Sequence, residues 1–147
     1  MAKMVRLDKV KGYPVTFKNG LGSTLENGLF LELKGLADDY EAYNVALAGA
    51  TPTGTVVLHA SVEMMYDEKK LLQDFALEDG AIGRGFILER GDIVTIAESV
   101  VNETVSVGDK VKYAADGKLA KATSGAVAEV IAKEYFGEQM SVVLHWL

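Results

Sequence analysis

The chain has 147 residues, a net charge of −6 and no cysteine. That length suffices for one domain with its own hydrophobic core, and the missing thiols exclude cysteine nucleophiles, iron–sulfur clusters and Cys-based zinc sites. No apolar run approaches the roughly 20 residues of a membrane-spanning helix, so no membrane partner is expected.

Charge is unevenly spread. Residues 1–20 carry Lys3, Arg6, Lys9, Lys11 and Lys18 against Asp8 alone, a local +4 that leaves −10 for the remainder of a chain whose total is −6. An acidic body is a poor ligand for phosphate backbones, so no direct nucleic-acid binding is expected. The basic residues Lys3, Arg6, Lys9 and Lys11 are the candidate contacts to a protein partner. Met1 to Lys9 has no apolar core behind it and does not read as a secretion signal.

Residues 1–22, rich in Lys and Gly and containing Pro14, read as an extended N-terminal arm, of which residues 1–20 are expected to order mainly on assembly. Within it, Val15 to Gly20 has the pattern of a strand ending in an Asn-Gly turn. Three short β-like runs follow: Leu29–Leu33, Tyr43–Leu47 and Thr55–Ala60. The sparse charge of such runs as Leu29–Leu33 points to self-association. Asp67 to Leu77 is the best helix candidate, with Asp67 as cap and Leu71, Leu72 and Phe75 on one face.

Gly80-x-x-Gly83-x-Gly85 reads as a loop leading into Phe86-Ile87-Leu88. It lacks the strand–turn–helix context of a Rossmann loop and the Gly-Lys-Ser/Thr of a Walker loop. Gly91-Asp92 opens a strand at Ile93–Ile96, and the pattern recurs at Gly108-Asp109-Lys110-Val111. Glycine permits the turn and the Asp side chain bonds nearby backbone, so one corner is expected to be used twice. Asp116-Gly117 marks a type I′ hairpin between Val111–Ala115 and Lys118–Lys121. A closing hairpin pairs Ala126–Phe136 with Gln139–Trp146. Ala126–Tyr135 has a helical alternative, with Val127, Val130 and Ile131 on one face; strand is preferred because the following strand needs a partner.

The expected fold is mainly β: a small β-barrel or sandwich with one short helix and an extended N-terminal arm. The β-rich domain spans 23–147, with 23–79 as its first half and 80–147 as the barrel core.

Residues suited to catalysis are few. His59 and His145 both fall in apolar strands and read as structural. The acidic clusters Asp38-Asp39-Glu41, Asp67-Glu68 and Glu78-Asp79 lack the glycine and terminal glutamate of a calcium loop and read as solvated turns. Arg90-Gly91-Asp92 spells an integrin-binding tripeptide, but its Gly-Asp recurs without the Arg, so a turn explains both copies. No catalytic residue, metal site or cofactor is assigned, and the chain is read as non-enzymatic.

From Gly80 to Leu147 the chain resembles the decoration or cement proteins of tailed bacteriophage heads. The resemblance rests on Gly91-Asp92-Ile93-Val94, Val107-Gly108-Asp109-Lys110-Val111, the Asp116-Gly117 hairpin, Thr123-Ser124-Gly125-Ala126-Val127-Ala128-Glu129 and Val142-Val143-Leu144. It implies a small β-barrel virion protein, made in the bacterial host cytoplasm, that binds the major capsid protein on the outside of the head and stabilises it. It also implies a homo-oligomer, with a trimer favoured. Neck and tail components use similar barrels. The competing reading is a β-rich ligand- or carbohydrate-binding module, with Tyr40, Tyr43, Tyr66, Tyr113, Tyr135 and Trp146 as candidate platform. A small enzyme with a carboxylate pair is a third.

Overall fold

The computed structural model describes residues 5–36, 42–61, 76–136 and 139–147. The fold is mainly β. Its strands are β1 (Val5–Lys9), β2 (Pro14–Lys18), β3 (Phe30–Leu36), β4 (Tyr43–Leu47), β5 (Val56–His59), β6 (Ile82–Phe86), β7 (Ile93–Ala97), β8 (Lys110–Tyr113), β9 (Leu119–Lys121), β10 (Ala128–Phe136) and β11 (Gln139–Trp146). The helical segments among the described residues are two 3-10 turns, Glu98–Val100 and Ala115–Gly117. The expected helix at Asp67–Leu77 lies outside the described residues except at its end, where Leu77 makes an antiparallel bridge to Leu25.

Five strands close a barrel in the order β2-β4-β3-β5-β6, and six form a sheet in the order β1-β7-β11-β10-β8-β9. The barrel therefore comes from residues 14–86, where 80–147 was expected to supply it; the C-terminal half forms the sheet. The reason lies in pairings distant in sequence. β2 runs parallel to β4 and antiparallel to β6, and neither contact leaves a local signal.

The N-terminal stretch read as an arm is also revised. β1 pairs with β7 from Val5↔Ile96 to Lys9↔Ile93, while β2 is a barrel stave whose Phe17 is fully buried. Val5 and Leu7 alternate with exposed Arg6 and Asp8, and pack against the main core. That is the period-2 pattern of a half-buried strand. The expected Asn-Gly turn is replaced by a clamp. Asn19 is fully buried, and its side-chain amide donates to the carbonyls of Ser23, Leu77 and Glu78 at 3.0–3.1 Å.

Alternation divides the barrel strands between two cores. Leu31 of β3 and Val57 of β5 point into the barrel with Phe17, Leu25, Val45 and Leu77. Their neighbours Phe30 and Leu58, opposite each other in register, point outward into a larger core with Val94, Ile96, Val111, Leu119, Val130, Val142, Leu144 and Trp146 of the sheet. Phe30 stacks on Trp146 at 5.7 Å, and Tyr113 completes the aromatic group, 5.5 Å from Phe30. Burial of Tyr113 in this seam raises its pKa to about 12.

The glycines of β6 make room inside the barrel. A Cβ on Gly83 would lie 2.5 Å from Leu77 Cδ2 and 2.7 Å from Phe17 Cζ, and one on Gly85 would lie 2.8 Å from Val57 Cγ2. A five-stranded barrel has little interior, and these two positions must stay empty for Phe17 and Val57 to fill it. The segment expected to be a loop is thus a strand.

Candidate interaction surfaces

The two Gly-Asp corners have the expected geometry, twice. Gly91 and Gly108 adopt φ of +94° and +96°. Asp92 Oδ2 accepts the N–H of Glu89 at 2.9 Å, and Asp109 Oδ2 accepts that of Ser106 at 2.9 Å. The corners also dock alike on a neighbouring strand. Gly91 N–H and Asp92 C=O bond to the carbonyl and N–H of Trp146, and Gly108 and Asp109 do the same with Val130. The Ser106 N–H holds the Asp109 carboxyl below its ordinary pKa despite some desolvation, with help from Lys121 at 3.5 Å. In the first corner the Asp92 side chain is turned fully inward. A receptor that reads Arg-Gly-Asp needs that carboxylate, so the tripeptide is a structural turn.

His59 is fully buried in the barrel. Its Nδ1 lies 2.8 Å from the Glu26 carbonyl and its Nε2 2.7 Å from Ser61 Oγ. A carbonyl can only accept, so Nδ1 carries the proton and Nε2 accepts from the Ser61 hydroxyl. Ser61 Oγ in turn accepts from Arg84 N–H at 3.1 Å. Desolvation drives the imidazole pKa down to about 4, against a small opposing effect of the Glu26 carbonyl. The group is a neutral pin for the segment around Asn27, whose amide exchanges two bonds with the Ser61 backbone.

Of the four candidate contact residues, Lys3 lies outside the described residues. Arg6 is committed within the fold, bonding Asp8 at 2.6 Å, Glu134, and Thr95 Oγ1 at 3.3 Å. Lys11 Nζ donates to the Arg90 carbonyl at 3.0 Å. Lys9 is exposed at the end of β1. Two of the three described candidates, Arg6 and Lys11, thus bond within the fold.

The described members of the aromatic platform are dispersed. Tyr40 and Tyr66 lie outside the described residues, Trp146 and Tyr113 sit in the seam, and Tyr43 and Tyr135 project from different lobes, 36% and 69% exposed. Tyr13, 91% exposed between β1 and β2, escaped the sequence reading. An open cleft of about 480 Å³ lies between Ala97–Thr104 and the start of β11. It contains Glu98 and Glu103 but no imidazole, and Glu98 is paired with Lys133 at 3.3 Å. Among the described residues no group of three or more His, Asp or Glu side chains is arranged to hold a metal.

The sequence reading also missed a cationic face on the β8–β9 hairpin. Lys112 stands opposite Ala120. Backbone bonds from Ala122 N–H to Lys110 C=O and from Ala114 N–H to Lys118 C=O place Lys110 opposite Ala122, and Ala114 opposite Lys118. Three lysines and three alanines thus share one face, while Val111, Tyr113 and Leu119 face the core. Only half of this face shows in the sequence: Lys-Val-Lys alternates, but a two-residue Asp-Gly turn would set Lys112 opposite Lys121, whereas Lys112 stands opposite Ala120.

A closed barrel packed on a six-stranded antiparallel sheet defines the class to which this chain belongs by architecture. No protein-family model matches the sequence, and no curated protein matches it either. Among solved structures, the N base of the head fiber gp8.5 of bacteriophage phi29 has a similar fold, with a TM-score of 0.51 and 12% sequence identity. The match covers 92% of this chain and 98% of that one, so it includes both lobes.

Proposed function

We propose that this chain is a non-enzymatic structural protein of a tailed-phage virion that binds the outside of the head and stabilises it through protein–protein contacts. One observation carries the reading: the match to a phage head fiber base runs through barrel and sheet together, over 92% of the chain. The two lobes share one continuous core. The barrel interior is packed with Phe17, Leu31 and Val57, in keeping with a protein that acts through its surface. The proposed partner is the major capsid protein, and the proposed working form is a homotrimer, made in the bacterial cytoplasm and incorporated into the virion. Exposed Lys9 remains a proposed contact, together with Lys3.

The deciding experiment incubates the purified chain with heads of the phage that encodes it, prepared without this protein. Co-sedimentation at a fixed number of copies per head, with a raised temperature of head disruption, is expected. Free chain left in the supernatant at every concentration would refute the proposal. Deleting residues 1–20 is not a clean test, because it removes both β1 and β2.

A further inference from the structure

We propose that the solvent face of the β8–β9 hairpin is a docking surface for an acidic protein surface. The inference rests on the virion reading above and names the part of the molecule that meets the partner.

The first argument is charge. Lys110, Lys112 and Lys118 make no ion pair and donate no side-chain hydrogen bond within the described residues. Four other cations are paired internally: Arg6 with Asp8 and Glu134, Lys34 with Glu32, Lys121 with Asp109, Lys133 with Glu98. A chain of net charge −6 has ample carboxylates to neutralise three more lysines. It instead holds them on one face separated only by alanines, with Glu129 across from Lys110 on β10 as the bordering acid.

The second argument is rigidity. The hairpin tip is locked to the barrel by a bond from Gly117 N–H to Ala48 C=O at 2.9 Å. The approach is so close that a Cβ on Gly117 would stand 2.7 Å from the Phe30 carbonyl. The core side is held by Tyr113 against Phe30 and Trp146. A preordered surface loses less freedom on binding. The alanines keep the plate flat, so apolar contact is available between the charges, as at protein interfaces. Three cations on a body of charge −6 suit a local acidic patch better than a nucleic acid, whose dense phosphates would repel the rest of the chain.

The test compares the wild-type chain, K110E/K112E/K118E, the neutral K110Q/K112Q/K118Q and the control K18E/R90E, which alters exposed cations elsewhere. The probes are phage heads lacking this protein, polyglutamate and short duplex DNA. Charge reversal is expected to weaken binding to heads and to polyglutamate about tenfold or more at low salt, with the Gln variant intermediate and the control unchanged. Wild-type binding should weaken with salt, and that dependence should flatten in the reversed variant. Equal binding of heads by wild type and the reversed variant would overturn the proposal, as would a preference for DNA over polyglutamate. Heads left unbound while polyglutamate is still captured through the three lysines would remove the head reading and sustain the acidic-surface assignment.

Discussion

Asp92 and Asp109 occupy the same position of the same corner, each accepting the N–H of the residue three places upstream at 2.9 Å. They differ in burial, since Asp92 is fully covered and Asp109 is partly exposed. Removing a buried acceptor leaves its donor unsatisfied, whereas water can replace an exposed one. Asp92→Ala is therefore expected to lower stability by about 1–3 kcal/mol, and Asp109→Ala by clearly less. Urea denaturation followed by circular dichroism measures both; equal losses would contradict the distinction.

His59 makes stability depend on pH in a defined direction. Its folded pKa is about 4 against an ordinary 6.5. As pH falls below 6.5 the unfolded chain takes up a proton that the folded chain refuses until about pH 4. Stability from this group is complete above 6.5, drains away between 6.5 and 4, and is lost below. The total is on the order of 3 kcal/mol. His59→Gln should flatten the urea midpoint over that window while lowering it at pH 7. An unchanged slope in the variant would assign the acid sensitivity to other groups.

Gly83 and Gly20 form a matched pair for testing the packing of the barrel. A Cβ at Gly83 collides with Leu77 and Phe17, while one at Gly20 meets nothing within 4 Å. Gly83→Ala is expected to destabilise by about 1–3 kcal/mol through overpacking. Gly20→Ala should be neutral or slightly stabilising. Adding Phe17→Leu to Gly83→Ala should recover part of the loss, which a double-mutant cycle detects as coupling. Strict additivity would mean that Phe17 does not set the need for glycine.

The seam between barrel and sheet can be watched with a single probe, because Trp146 is the sole tryptophan. Phe30 of the barrel and Trp146 of the sheet belong to one core, so both lobes are expected to unfold in one transition. Tryptophan emission and far-ultraviolet circular dichroism should then give superimposable curves. Trp146→Ala should cost about 3–5 kcal/mol. Two separated transitions would show that the lobes are independent.

Local features were legible in the sequence, and long-range ones were not. Tyr43–Leu47 and Gln139–Trp146 form strands with the bounds read from their patterning. The preference for strand over helix at β10 was right because β11 required a partner. At the turn of the β8–β9 hairpin, both Asp116 and Gly117 take positive φ, 59° and 72°, but Tyr113 pairs with Leu119 and not with Ala120, so the loop is three residues long and not the two expected. Gly83 and Gly85 misled, since glycine normally marks a loop and only the barrel interior explains its place in a strand. The division between lobes was hidden for the same reason. It depends on β2 pairing with β4 and β6, and on β1 joining β7. Arg6 reads as a partner contact from the charge of its segment alone, and its counterion Glu134 is 128 residues away in sequence. The Lys110–Lys112–Lys118 face was only half legible: alternation groups Lys110 with Lys112, but Lys118 joins them only through a register one residue off that of a two-residue turn.

The central claim is best tested by cryo-electron microscopy of intact virions of the phage that encodes this chain, compared with virions in which its gene is deleted. The account predicts density on the outer surface of the wild-type head that fits a closed barrel seated on a six-stranded sheet and vanishes on deletion. Identical head surfaces in the two reconstructions would contradict it.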